Sequence, residues 1–188
     1  MFVWPIDSEI SLALWEEQDA STLAHLVRQD ASYLGRWLPF ASPAYDEVAA
    51  LEYIRRTRRE WAEYRGLELA LWGAGELAGS VGMHGLDRQA GRAEIGYWLR
   101  ESMQGRGWMT RAVSALVTYG FDRLGLNRLV IMAQPDNARS RAIPERLGFR
   151  QEGVLRQDQR YPQGYVDHVV YALLRSEWTP ASPPRAGV

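Results

Sequence analysis

Apolar residues along this chain repeat with two periods, and the changes from one to the other mark out its elements. Ile10 to Trp15 alternates loosely and predicts a first strand. Asp19 is a suitable N-cap for a helix over Ala20 to Arg28, and Ala31 to Leu38 reads as a short helical turn stopped by Pro39. From Asp46 to Tyr64, Val48, Leu51, Ile54 and Trp61 recur at helical spacing between charged residues. Leu67 to Trp72 and Leu77 to His84 flank Gly73-Ala74-Gly75, a hairpin signal. Arg92 to Leu99 is a further strand. A Gly105-Arg106-Gly107 turn then opens a helix whose apolar face is Val113, Leu116, Val117, Phe121 and Leu124. Arg128 to Gln134 predicts a short strand, and Asn137 to Leu147 a helix ended by Gly148. Val154 to Gln159 and Val166 to Leu174 pair across Pro162-Gln163-Gly164. No internal repeat is present. The order predicts an α/β (α+β mixed) fold, a mixed sheet with helices on its faces.

The 188 residues fit one domain over 1–178, followed by a Pro/Ala-rich tail over 179–188 expected to be disordered. A net charge of −1 supplies no global field for nucleic acid or membrane. Without cysteine there is no disulfide, thiolate metal site or cysteine nucleophile, and three scattered histidines do not form a metal site. Met1 to Ile6 is too short for a signal sequence, which favours the cytoplasm.

The glycine turn carries the most specific chemistry. It follows a strand and opens a helix whose first N–H groups suit a phosphate. A nucleotide-hydrolysing P-loop needs a lysine, and all 22 basic residues here are arginine. A dinucleotide loop wants a third glycine where Thr110 stands, and an acid ending the next strand, where there is none. An acetyl-CoA loop of the pattern Gln/Arg-X-X-Gly-X-Gly/Ala keeps both glycines and the helix start, with Ser102 in the first position and Gln104 nearer the turn.

Other segments supply the context for that third reading. Glu94-Ile95-Gly96-Tyr97-Trp98, the glycine turn, Asn137-Ala138-Arg139-Ser140-Arg141-Ala142 and Gly148-Phe149 occur in order. They are joined by Leu34-Gly35-Arg36-Trp37-Leu38-Pro39, Asn127-Arg128 and Glu152-Gly153. Together, from about Ile10 to Trp178, they resemble the RimJ/RimL branch of the GNAT N-acetyltransferases, whose best-known members acetylate N-terminal amines of ribosomal proteins. The resemblance implies a central, mostly antiparallel sheet with splayed central strands, acetyl-CoA as co-substrate and no metal. The acceptor it implies is a protein N-terminus, with a small amine as the alternative. A non-catalytic acyl-CoA-binding protein is the remote third reading. Nucleic acid and membrane are not expected as partners, and a homodimer stands open.

Residue by residue, the resemblance places Tyr97, Trp98, Leu99, Gln104, Gly105, Arg106, Gly107, Trp108, Met109, Thr110, Asn137 and Arg141 against the cofactor. Ser140 would protonate the departing thiolate, where many GNATs use a tyrosine four residues before Gly-Phe; that position is Pro144 here. RimL-type relatives place a glutamate base where this chain has Gln159, which cannot take a proton. The base then falls to Glu94 first and His84 next, with Asp158 a neighbour whose side chain is expected to point elsewhere. Trp37, Phe40, Gln159 and Tyr161 are expected to line the acceptor pocket. His25 and His168 are expected to be structural.

Overall fold

In the computed structural model, which describes residues 3–179, an eight-stranded sheet separates two helical layers. The strands are β1 (Val3–Pro5), β2 (Ile10–Leu14), β3 (Leu67–Gly73), β4 (Glu76–Asp87), β5 (Arg92–Leu99), β6 (Arg128–Ala133), β7 (Arg150–Tyr161) and β8 (Gly164–Leu174). The helices are α1 (Ala20–Gln29), α2 (Ala31–Leu34), α3 (Glu47–Ala62), α4 (Trp108–Asp122) and α5 (Ala138–Arg146). The sheet order is β1-β2-β3-β4-β5-β6-β8-β7, and every neighbouring pair is antiparallel except β5–β6.

Alternation along the strands divides the core. Leu69, Leu71, Val81, Ile95 and Ile131 face α4, whose Val113, Leu116, Val117 and Phe121 are fully buried. On the other face Ala70 and Leu77 pack with Leu23, Val27 and Ile54 of α1 and α3. Burying large aliphatic side chains at roughly 1.5–3 kcal/mol each makes these two layers the main source of stability.

Several local expectations change. Asp19 does not cap α1; its carboxylate accepts the Glu16 amide at 2.9 Å and closes the short 3₁₀ turn Glu17–Asp19 ahead of the helix. Asp46, the first residue of the third predicted helix, lies outside it and caps α3 by accepting the Ala49 amide at 2.8 Å. The buried stripe of α3 is Ala50, Ile54 and Thr57, whereas Val48 and Trp61 are exposed. Small Ala50 lets the helix approach α1, and Thr57 satisfies its own hydroxyl on the Ile54 carbonyl at 3.0 Å. Strand β1 is new: three residues are too few for a period, and Pro5 is tolerated because the strand is an edge. The β3–β4 hairpin turns at Ala74 and Gly75, both at positive φ (53° and 81°), as a tight two-residue turn requires. Strand β7 starts at Arg150, four residues before the expected Val154. Apart from Thr179, the expected tail lies outside the described residues.

Candidate active site

Strands β5 and β6 run parallel but pair only at Arg92–Arg128, Ala93–Leu129 and Glu94–Val130. From Ile95 to Leu99 the β6-facing edge of β5 is free of that partner, which is the splay the resemblance implied. At the end of this edge stands the glycine turn. Gly105 and Gly107 have φ of 78° and 73°, a region glycine enters at no steric cost. A Cβ added to either would meet nothing within 4 Å, so the turn lines open space rather than packed protein. Gly107 is the N-cap of α4 and has no side chain to cap it, which leaves the helix start able to receive an anion.

A cleft of about 860 Å³ lies over this turn. Of the residues expected at the cofactor, it is lined by Tyr97, Trp98, Leu99, Gln104, Gly105, Gly107, Trp108, Met109, Thr110 and Asn137. Arg106 sits beside it with its guanidinium 4.9 Å from the Trp108 ring centre. Arg141 is directed away: it donates to the Tyr171 hydroxyl at 2.8 Å and the Pro135 carbonyl at 2.9 Å. The basic side chains at the cleft are instead Arg139 and Arg146; Arg111 also borders it, but its guanidinium is paired with Asp7 at 2.5 Å and Glu9 at 2.7 Å. Arg139 and Arg146 lie seven residues apart on α5, two helical turns, so one face carries both; that spacing was a readable signal. Gln104 bridges the mouth, donating to the Tyr33 hydroxyl at 2.6 Å and accepting from Arg139 at 2.5 Å.

Midway along the free edge of β5, Tyr97 meets α5. Asn137 caps that helix by accepting the Ser140 amide at 3.1 Å. Pro144 has no N–H for the Ser140 carbonyl, and its ring crowds that oxygen. The Tyr97 hydroxyl takes the vacant place, donating to Ser140 O at 2.9 Å, while Ser140 Oγ lies 3.4 Å from the same hydroxyl. Burial pushes the Tyr97 phenol well above its ordinary range, only partly offset by Ser140, so it remains a proton-bearing donor. Ser140 also lines the cleft.

Where β5 and β6 part, four titratable side chains gather on the sheet face opposite α4. Glu94 pairs across strands with His84. Burial raises the Glu94 carboxyl above its usual range; His84 and then His168 pull it back, and Asp158 adds to the rise. Neither Arg92 nor Arg106 forms an ion pair with Glu94. Asp158 joins the group against the alternation argument, because β7 bulges: between the Leu155–His168 and Gln159–Val166 pairs the register shifts. Gln157 takes φ of 51° and donates its amide to Asp167 at 2.8 Å, and Asp158 reaches His168 Nδ1 at 2.8 Å. His168 holds Asp158 through Nδ1, and it acts on Glu94 only electrostatically.

The expected acceptor residues divide. Trp37 lines the cleft, and its carbonyl accepts the buried Tyr161 hydroxyl at 3.0 Å. Phe40 packs on Tyr45 and Tyr53, with ring centres 5.7 and 6.5 Å apart, outside the cleft lining. Gln159 is exposed on β7. His25 is likewise outside the site, on α1. Among the described residues no three His, Asp or Glu side chains converge as a metal site, and no helix is long and apolar enough to cross a membrane.

The open cradle, the uncapped helix start and the arginines fit the pyrophosphate of a coenzyme A thioester, and comparison with known proteins agrees. Residues 9–150 match the model of the acetyltransferase (GNAT) domain. A putative ribosomal N-acetyltransferase, YdaF of Bacillus subtilis, is 41% identical over 180 residues, covering 95% of this chain and 98% of that one. The ribosomal-protein-serine acetyltransferase of Escherichia coli is 37% identical over 99 residues, 53% of this chain and 55% of its own. Among solved structures, RimL, a ribosomal L7/L12 alpha-N-protein acetyltransferase in complex with coenzyme A, superposes with a TM-score of 0.87 at 25% identity, over 92% of this chain and 98% of that one. The cradle, the splayed strands and these likenesses agree: the chain belongs to the GNAT acetyltransferases, of the RimJ/RimL type, and is an acyltransferase.

Proposed function

We propose that this enzyme transfers the acetyl group of acetyl-CoA to the N-terminal amine of a protein, with ribosomal proteins as the acceptor class and the cytoplasm as its place of work. The observation that supports this best is the order of groups along β5. The phosphate cradle follows its end, the Ser140–Tyr97 pair meets its middle, and the Glu94–His84 pair stands where its free edge begins. A bound thioester supplies the carbonyl carbon that the amine attacks.

The remaining work belongs to the protein. Gly105, Gly107 and the start of α4 hold the phosphates, and Asn137 fixes the start of α5. An amine attacks only when neutral, so Glu94 and His84 take a proton from the incoming ammonium. As the N–C bond forms and the C–S bond breaks, charge develops on sulfur, and Ser140, backed by the Tyr97 hydroxyl, delivers a proton there. Of the two protons the ammonium loses, one is released to water from the base and the other balances the thiolate.

The test is mass spectrometry after incubation with acetyl-CoA and three acceptors: peptides beginning with serine or alanine, the same peptides blocked at the N-terminus but carrying a lysine, and spermidine. Labelling confined to free N-termini is expected. Glu94 and Asp158 also put carboxyls where a polycation could bind, and labelling of spermidine alone would establish that reading instead.

A further inference from the structure

Two glycines face each other on the sheet beside the proposed base. Gly82 of β4 pairs with Gly96 of β5, and on its other side Gly82 pairs with Glu68 of β3. A Cβ at Gly82 would overlap Glu68 Oε2, and one at Gly96 would lie 2.9 Å from His84 Nε2. The bare backbone of these two residues is therefore the floor on which two side chains meet. The Glu68 carboxylate leans across Gly82, the His84 ring leans across Gly96, and Oε2 and Nε2 are 3.2 Å apart, with the ring N–H not aligned on Oε2, so that buried oxygen has no hydrogen-bond partner. The Glu68 side chain is 6% exposed and that of His84 44%, so the pair runs from the core to the open face of the sheet.

The other carboxylate oxygen is held from below. Ser80 Oγ lies 2.5 Å from Glu68 Oε1 and accepts the indole N–H of buried Trp15 at 3.3 Å. Tyr53 and Arg56 of α3 also act on the carboxyl, and Glu94 faces His84 from β5. Burial raises the Glu68 carboxyl, and His84, Ser80, Tyr53 and Arg56 pull it back. A carboxylate taken out of water costs free energy unless it is paired, and this one is aimed at a ring that still reaches solvent.

Resting on the acetyltransferase reading above, we propose that Glu68 is the positioning residue for His84. A small turn of the half-exposed ring lets Oε2, the buried oxygen without a hydrogen-bond partner, receive the Nε2–H, which fixes the ring over Gly96 and leaves Nδ1 as the nitrogen that takes the ammonium proton. Glu68 also opposes the positive charge that the ring gains in that step, the role an orienting carboxylate plays beside a histidine base. The proton moves from the acceptor nitrogen to Nδ1 and later to water; Glu68 exchanges none.

The test uses the full chain and whichever N-terminal peptide turns over. Glu68→Gln keeps the size and an acceptor but removes the charge. It should lower kcat at least tenfold, leave the KM for acetyl-CoA unchanged and move the acidic limb of kcat/KM to lower pH, because an imidazolium is no longer faced by a carboxylate. A folded Glu68→Gln protein with wild-type kcat and an unmoved limb overturns the proposal. Gly96→Ala gives a second route, since its Cβ displaces the ring while Glu68 stays intact, and a similar loss of kcat is expected. Long-range ¹H–¹⁵N spectra of the wild type, with His84 identified by its loss in His84→Gln, should show neutral His84 protonated at Nε2. Protonation at Nδ1 overturns the proposal whatever the kinetics. Failure of every peptide to turn over would sink the functional reading while leaving this spectrum to judge Glu68.

Discussion

Tyr97→Phe removes a single hydroxyl, and its cost should depend on whether residue 144 is a proline. In an unbroken helix the Ser140 carbonyl would accept the amide of residue 144. Pro144 has none, and the Tyr97 hydroxyl donates to that carbonyl at 2.9 Å. Loss of the hydroxyl strands a half-buried acceptor, which costs about 1–3 kcal/mol. Ser140 borders a cleft that water can enter, so the lower part of that range applies, about 1–1.5 kcal/mol. For a chain of this length that corresponds to a fall in Tm of roughly 2–6 °C.

Pro144→Ala restores an amide at position 144 and gives the carbonyl its helical partner. In that background Tyr97→Phe should cost about 1 kcal/mol less, because the stranded acceptor no longer exists. Urea unfolding of the four proteins, followed by circular dichroism, yields the coupling directly, and the packing of the ring cancels in the cycle. Additive effects, within about 0.3 kcal/mol, would refute the claim that Tyr97 substitutes for the missing helical donor. The same hydroxyl lies 3.4 Å from Ser140 Oγ, so Tyr97→Phe should also lower kcat more than it raises the KM for acetyl-CoA.

Gly107→Val should weaken acetyl-CoA binding at least tenfold, about 1.4 kcal/mol, by placing a branched side chain in the open cradle; unchanged affinity by calorimetry in a folded variant would sink this. Ser140→Ala should reduce kcat far more than it changes the KM for acetyl-CoA, and a wild-type kcat where chemistry limits the rate would pass the proton to water. Glu94→Gln, which removes a carboxylate facing His84, should remove most of the rate, whereas Gln159→Ala, on the exposed strand, should disturb the acceptor KM more than kcat. Glu94→Gln should also raise Tm at pH 7. Because burial lifts the folded carboxyl above its unfolded value, the stability it contributes is full below the unfolded pKa and lost as pH rises through the folded one. Melting curves at pH 7 and near pH 4 should therefore show an advantage that shrinks on acidification.

The elements were legible because their signals are local. Val113, Leu116, Val117 and Phe121 fix the buried face of α4, and Ala74-Gly75 fixes a turn that needs positive φ twice. The glycine turn was legible for the same reason, since the turn and the helix start are contiguous in sequence. Where packing decides, local patterns failed. Val48 and Trp61 looked like core until Ala50 and Thr57 took the contact with α1 and the sheet. Asp158 was assigned to the wrong face by a rule of alternation that a single bulge at Gln157 cancels. Arg141 matched a motif yet serves Tyr171, while Arg139 and Arg146 hold the cleft face of α5.

The titratable cluster on the sheet face opposite α4 was least legible, because it is assembled across strands. Glu68, His84, Glu94, Asp158 and His168 come from β3, β4, β5, β7 and β8, at spacings that correspond to no motif, and only pairing registers bring them together. Burial raises both the Glu68 and the Glu94 carboxyl, so ionising either one costs the folded chain free energy. Glutamine would fill the same space without that cost. A purely structural sheet face has no need of two such carboxylates beside an exposed imidazole and two bare glycines. On the proposed mechanism both carboxylates act on the group that draws a proton from the ammonium ion, so the substitutions expected to stabilise this protein at neutral pH are also those expected to slow its chemistry.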